Sequence, residues 1–144
     1  MPRPAKQVMR AAIEAAEDVQ TPFGAALAMG EEVFATAACT LSDLNETDKY
    51  VEIEAIRKLR DVLLKNDLSG FTLYTTCEPS DKSVKAAVEA NISRIYFGCS
   101  HPEFFRFIPT LKDRNYSRYY EEHTISITGG VLDLECRKLI KRFT

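Results

Sequence analysis

The sequence predicts a three-layer α/β sandwich around one mixed five-stranded sheet, and three observations lead there. Apolar runs at 23–29 and 33–39, separated by the Gly30-Glu31 turn, read as an antiparallel hairpin of buried strands. Two later β-rich runs, 71–76 and 92–98, flank a segment of helical period, and a helical crossover joins parallel neighbours. An apolar content of 45% in 144 residues suits one domain with its own core. A sheet with both kinds of neighbour must bury two faces, and helices on each side do so.

Each element follows from its local pattern. Residues 5–18 place Val8, Met9, Ala12, Ile13, Ala15 and Ala16 on a helical stripe, with Glu14, Glu17 and Asp18 largely opposite. Thr21-Pro22 ends that helix and the hairpin follows. Residues 41–49, rich in Ser, Asp, Asn and Thr, read as a loop. From 50 to 65, Ile53, Ile56, Leu59 and Leu63 keep helical spacing, which Asn66 and Ser69-Gly70 close. Val84, Ala87 and Val88 repeat that spacing over 80–90. The stretch 101–123 is aromatic and charged, with a short helix expected over 103–107. A short strand at 125–128, the Gly129-Gly130 turn and an amphipathic helix over 132–143 complete the order. With no internal repeat, linker or low-complexity segment, residues 1–144 read as a single domain.

Composition narrows the function classes. No run approaches the roughly 18 apolar residues of a membrane span, and Met1-Pro2-Arg3-Pro4-Ala5-Lys6 passes into the first helix without a signal-peptide pattern. A net charge of −2 gives no general pull toward nucleic acid. Cys39, Cys77, Cys99 and Cys136 are irregularly spaced and contain no C-x-x-C. They read as reduced thiols packed as small hydrophobes rather than as a disulfide framework. The expectation is a cytoplasmic protein with no membrane partner and no nucleic-acid partner.

Two segments carry chemistry. They are Tyr50-Val51-Glu52-Ile53-Glu54-Ala55-Ile56-Arg57 and Thr75-Thr76-Cys77-Glu78-Pro79-Ser80-Asp81-Lys82-Ser83. Zinc-dependent nucleobase deaminases carry His-x-Glu at the head of one helix and Pro-Cys-x-x-Cys at the head of the next. Around these segments, Met9-Arg10-Ala11-Ala12-Ile13, Pro22-Phe23-Gly24-Ala25-Ala26, Glu32-Val33-Phe34-Ala35 and Ile92-Ser93-Arg94-Ile95-Tyr96-Phe97-Gly98 extend the likeness. Together they resemble the cytidine/deoxycytidylate deaminase superfamily, and within it the guanine deaminase and tRNA-adenosine deaminase branch. The resemblance runs to about residue 100 and is loose beyond His101.

That resemblance implies a cytidine deaminase-like fold and a site whose metal ligands have been replaced. Tyr50 stands at the His position and Ser80 and Ser83 at the two Cys positions, while Glu52, the family's proton shuttle, remains as a vestigial acid/base. Phe23, Gly24, Cys39, Val51, Cys77 and Pro79 are the implied pocket-lining residues, with Cys39 where the family has a substrate-contacting Asn. In the family, thiolates and an imidazole hold zinc tetrahedrally with one position left for water. The metal lowers that water's pKa from about 15.7 to about 7. Without it, supplying hydroxide at neutral pH costs up to about 8 pK units, or about 11 kcal/mol. A lone general base returns only about 10²–10⁴-fold. Serine hydroxyls are neutral, hard donors, and a rebuilt site from Cys77, Asp81, Glu52 or Cys39 matches no standard zinc spacing.

Each residue has a plainer role to weigh. Glu52, like Glu54, sits where a helix dipole favours a carboxylate, so acid/base and structural readings stand level. Ser80 after Pro79 reads as an N-cap rather than a nucleophile, with Ser83 filling the third helical position. Tyr50 reads as a plug for the vacated cavity rather than a catalytic phenol, and a reactive Cys77 or Cys39 would require a depressed pKa. His101 and His123 read as ordinary surface or loop residues. Phe104, Phe105, Phe107, Tyr116, Tyr119 and Tyr120 divide evenly between core and a lid or interface. Lys138, Lys141 and Arg142 read as one solvated helix face. The functional expectation is a zinc-free pseudoenzyme with no cofactor and no metal. It would form a homodimer and bind a small nucleobase-like ligand or a protein partner such as an active deaminase. The alternative is an active deaminase or other hydrolase using Glu52 as acid/base.

Overall fold

A computed structural model describes residues 3–40, 50–106 and 125–143 of the chain. The side chains of Arg3, Pro4, Phe104 and Phe105 are outside that description. The loop expected over 41–49, and Phe107, Tyr116, Tyr119, Tyr120 and His123, lie outside the described residues.

The elements are α1 (Arg3–Val19), β1 (Phe23–Met29), β2 (Glu32–Cys39), α2 (Val51–Leu63), β3 (Thr72–Cys77), α3 (Asp81–Glu89), β4 (Arg94–Cys99), α4 (His101–Phe105), β5 (Ser126–Thr128) and α5 (Asp133–Arg142). The strands form one sheet in the order β2-β1-β3-β4-β5. β1 runs antiparallel to β2 and β3, and β4 runs parallel to β3 and β5, so the sheet is mixed.

Alternation along the strands assigns the two faces. Gly24 turns toward α1, where an added Cβ would stand 2.0 Å from the Ala12 carbonyl oxygen. Gly98 turns toward α5, where a Cβ would meet Cys136 Sγ at 2.3 Å. Thr75 points the other way, to Glu52 on α2. Helices α1 and α5 therefore cover one face while α2 and α3 cover the other, which is the three-layer arrangement the pattern predicts. The core joins Met9 and Ala12 of α1, Leu27 of β1, Ile56 and Leu59 of α2, Leu73 of β3, Ile95 of β4 and Ile140 of α5, all essentially sealed from solvent. Burying a Leu or Ile side chain contributes about 1.5–3 kcal/mol, so these few residues carry much of the stability.

Two buried threonines fix the start of β1. Thr76 Oγ1 donates to the Pro22 carbonyl at 2.7 Å and accepts from the Gly24 amide at 3.1 Å. Thr21 Oγ1 donates to the Cys39 carbonyl at 2.6 Å. They satisfy backbone groups that the ladder leaves open where β1 enters the sheet between β2 and β3.

Several ends differ from the pattern. α2 stops at Leu63 because Leu64 adopts the left-handed conformation (φ 55°), before Asn66 and Gly70 are reached. The helix expected over 103–107 begins at His101 instead. Ser100 explains this, since its amide and hydroxyl both donate to Glu103 Oε1, the glutamate half of a capping box and a Ser-x-x-Glu signal present in the sequence.

Candidate functional site

The heads of α2 and α3 lie side by side on one face of the sheet, over the C-terminal end of β3. Glu52 sits in the first turn of α2, and Ser80 is the N-cap of α3 with Ser83 at its third helical position. Ser80 Oγ accepts from the Ser83 amide at 3.4 Å, which is the capping role the sequence assigns. Ser83 Oγ then donates to Glu52 Oε1 at 2.8 Å, and Thr75 Oγ1 donates to Glu52 Oε2 at 2.5 Å. Ser80 Oγ lies 3.3 Å from Ser83 Oγ. One buried carboxyl group and three buried hydroxyls form a continuous network among α2, β3 and α3.

The two first-turn glutamates diverge. Glu54 reaches outward to Arg57 at 2.6 Å, an i,i+3 surface pair of small energetic worth. Glu52 turns inward and is buried. Burial pushes its pKa above the usual carboxylate value, and the Thr75 and Ser83 hydrogen bonds, with one from its own backbone, only partly offset that. A raised folded-state pKa makes the protein less stable as pH rises from the unfolded value near 4.5 through the folded one, after which the loss levels off. Glu52→Gln removes that slope while keeping the shape. The variant's melting temperature should gain on the parent's progressively above pH 4.5, by about 1.36 kcal/mol of stability for each unit of elevation. Thermal melts from pH 4 to 8 test it, and parallel curves would sink the assignment.

Tyr50 is the N-cap residue of α2, buried, with no side-chain capping bond; Lys82 Nζ stands 5.8 Å over its ring. Val51 is buried beside it. Phe23 and Cys39 are register partners on β1 and β2, both buried, and alternation from Ala25, which pairs with Thr75, puts them on the Glu52 face. Cys77 is on that face too, two residues beyond Thr75, and Glu52 contributes to raising its pKa. Pro79 is buried immediately before the Ser80 cap. Gly24 instead faces α1, with its amide held by Thr76. The structure thus gathers Tyr50, Val51, Glu52, Cys77, Pro79, Ser80 and Ser83 at the two helix heads, with Phe23 and Cys39 on the same sheet face.

All four cysteines are buried and unbridged. Burial pushes the Cys77, Cys99 and Cys136 thiols up, the opposite of what a reactive thiolate needs. His101 corrects an expectation. It is not an ordinary surface residue, because the turn after β4 folds it back onto Glu78, which accepts the His101 amide at 2.9 Å and stands 3.4 Å from its Nδ1. Only 13% of its side chain is exposed, and burial lowers its pKa against the opposing pull of Glu78. Thr75, though it opens the second of the two segments, is given no role by the sequence reading. Its only sequence signal is its place on β3, from which alternate residues face α2.

The comparisons with known proteins agree with this layout. The model of the family described as cytidine and deoxycytidylate deaminase zinc-binding region matches residues 2–99. A tRNA-specific adenosine deaminase of Agrobacterium fabrum is 27% identical over 129 residues, spanning 90% of this chain and 84% of the relative. A mouse protein named probable inactive tRNA-specific adenosine deaminase-like protein 3 is 29% identical over 102 residues, spanning 71% of this chain and 28% of that one. The solved guanine deaminase of Nitrosomonas europaea superposes with a TM-score of 0.79 at 16% identity, over 99% of this chain and 84% of its own. That likeness establishes a shared fold.

Proposed function

This chain belongs to the cytidine and deoxycytidylate deaminase family, and we propose that it is a member without the zinc site, which no longer deaminates bases and keeps a binding role. The observation that carries this reading is the donor chemistry at the two helix heads. A neutral hydroxyl that donates to Glu52 and another that caps α3 stand where the family places thiolates, and a buried phenol stands where it places imidazole. That set does not fit a zinc ion, whose ligands are thiolate, imidazole or carboxylate, since Glu52 is the one group of these kinds among them. The name of the mouse relative, probable inactive, is in keeping with a family branch of this kind.

The retained role is binding of a small nucleobase-like ligand at the remodelled pocket, or of a protein partner such as an active deaminase, by a cytoplasmic homodimer of single-domain chains. No helix among the described residues is long and apolar enough to cross a membrane. Elemental mass spectrometry of purified, untagged protein tests the core of the proposal. Zinc far below one ion per chain, with no ammonia released from a panel of bases and nucleosides, is the expected result. Zinc near one ion per chain would overturn it.

A second reading has one specific observation in its favour. A buried carboxyl group with a raised pKa, linked to two serine hydroxyls, is a form of general acid that works near neutral pH. Turnover that disappears in Glu52→Gln, while the fold persists, would establish that reading in place of the first.

A further inference from the structure

Helices α1 and α5 lie side by side on the sheet face remote from Glu52, and the furrow between them is a cavity of about 530 Å³. Its walls follow from helical spacing. Arg10, Ile13 and Glu17 fall on one side of α1, and Glu135, Lys138, Leu139 and Arg142 fall on the facing side of α5, with Lys141 at the rim. Ile13 and Leu139 are buried and form an apolar floor. The rim holds four cations and two carboxylates, although the whole chain carries slightly more acidic than basic residues, 21 against 19. Glu17 is engaged by Arg142 across the furrow at 3.6 Å, a pair that takes one charge of each sign out of the count and leaves the excess unchanged. A smaller cavity of about 120 Å³ on the outer side of α5 shares Lys138 and Lys141 and adds Arg137 beside the exposed Leu134. The helix face expected to be merely solvated is thus the wall of two adjoining recesses.

We propose that this furrow is a second binding site, for a small organic anion with a compact apolar body. The apolar part would lie on Ile13 and Leu139, and the anionic group would meet Arg10 and Lys138. The volume is within the range of about 300–1,000 Å³ typical of small-molecule sites, and an apolar floor with a few polar groups at its edge is their usual construction. Charge selects the sign of the ligand, since an anion is the partner that a rim with excess positive charge attracts. The site is independent of what the Glu52 pocket does, because the sheet separates them.

The test uses 8-anilinonaphthalene-1-sulfonate, a small aromatic anion, titrated into the full-length ¹⁵N-labelled protein. Amide shifts concentrated on α1 and α5 are expected. Affinity should fall about tenfold or more in Lys138→Glu/Lys141→Glu, drop with added salt, and stay unchanged in Glu52→Gln. Circular dichroism melts check that the variants fold, and Lys138→Ala, a lone exposed truncation, serves if the double reversal does not. Shifts scattered over the surface, or affinity indifferent to both variants, would overturn the proposal. So would an acidic polypeptide such as polyglutamate binding this face more tightly than the small anion, which would make it a protein-docking surface instead.

Discussion

Tyr50→His, Ser80→Cys and Ser83→Cys, introduced together, should yield a protein that holds about one zinc ion per chain where the parent should hold almost none. Two of the three positions are already adjacent. Ser80 and Ser83 are the N-cap and third residue of one helix, and their hydroxyl oxygens lie 3.3 Å apart, so thiolates there can reach a common ion. Both sit at a helix N-terminus, which stabilises thiolate charge, as does Tyr50's position at the head of α2. Without metal, exchanging the Ser80 cap for cysteine should cost about 1 kcal/mol. With metal, that loss reverses, and a chelator should lower the melting temperature of the variant but not of the parent. Glu52, 2.8 Å from Ser83 Oγ, would then face a cation, and its pKa should fall rather than stay raised. Elemental analysis and paired melts decide the matter. A correctly folded triple variant that takes up no zinc would mean the helix heads no longer converge as the family's do.

The second large effect is structural. Gly24→Ala should destabilise the protein by about 3 kcal/mol or more, enough to threaten soluble expression. An added Cβ at Gly24 would stand 2.0 Å from the Ala12 carbonyl oxygen and 3.0 Å from Ala16 Cβ. The first obstacle is helix backbone and cannot swing away as a flexible side chain would. Relief requires α1 or β1 to move, and moving β1 breaks the Gly24 amide bond to Thr76, on which the Pro22 contact also depends. Gly30→Ala is the control. Its φ of +62° is strained for alanine, but nothing lies within 4 Å of the new methyl group, so the cost should stay near about 1–2 kcal/mol. Urea unfolding of both variants makes the comparison, and similar losses would refute the close-packing account.

What could be read from the chain alone depended on range. Strand β1 was legible to the residue, because an unbroken apolar run bounded by Pro22 and Gly30 leaves little latitude. The Ser80 cap was legible because the preference of serine after a proline at a helix start is local chemistry. Glu52 was legible as a position but not as an environment. Its partners Thr75 and Ser83 are 23 and 31 residues away, and only the folded sheet brings them to it. The end of α2 at Leu64 was illegible for another reason, since nothing in a leucine announces a left-handed backbone, and this one is exposed, with no burial of its own to mark the stop. His101 looked like a loop residue because its partner, Glu78, lies on the preceding strand-to-helix connection, 23 residues earlier.

The four buried thiols carry a practical consequence. In the folded state all four are buried away from an alkylating or disulfide-exchange reagent, so any modification reports an opening of the structure. Cys77 lies on the α2 side of the sheet and Cys136 on the sheet-facing side of α5, which makes them two natural clocks for separate halves of the molecule. If the layers come apart as one cooperative unit, both thiols will be labelled at one rate that tracks global unfolding; if one layer loosens first, its cysteine will run ahead.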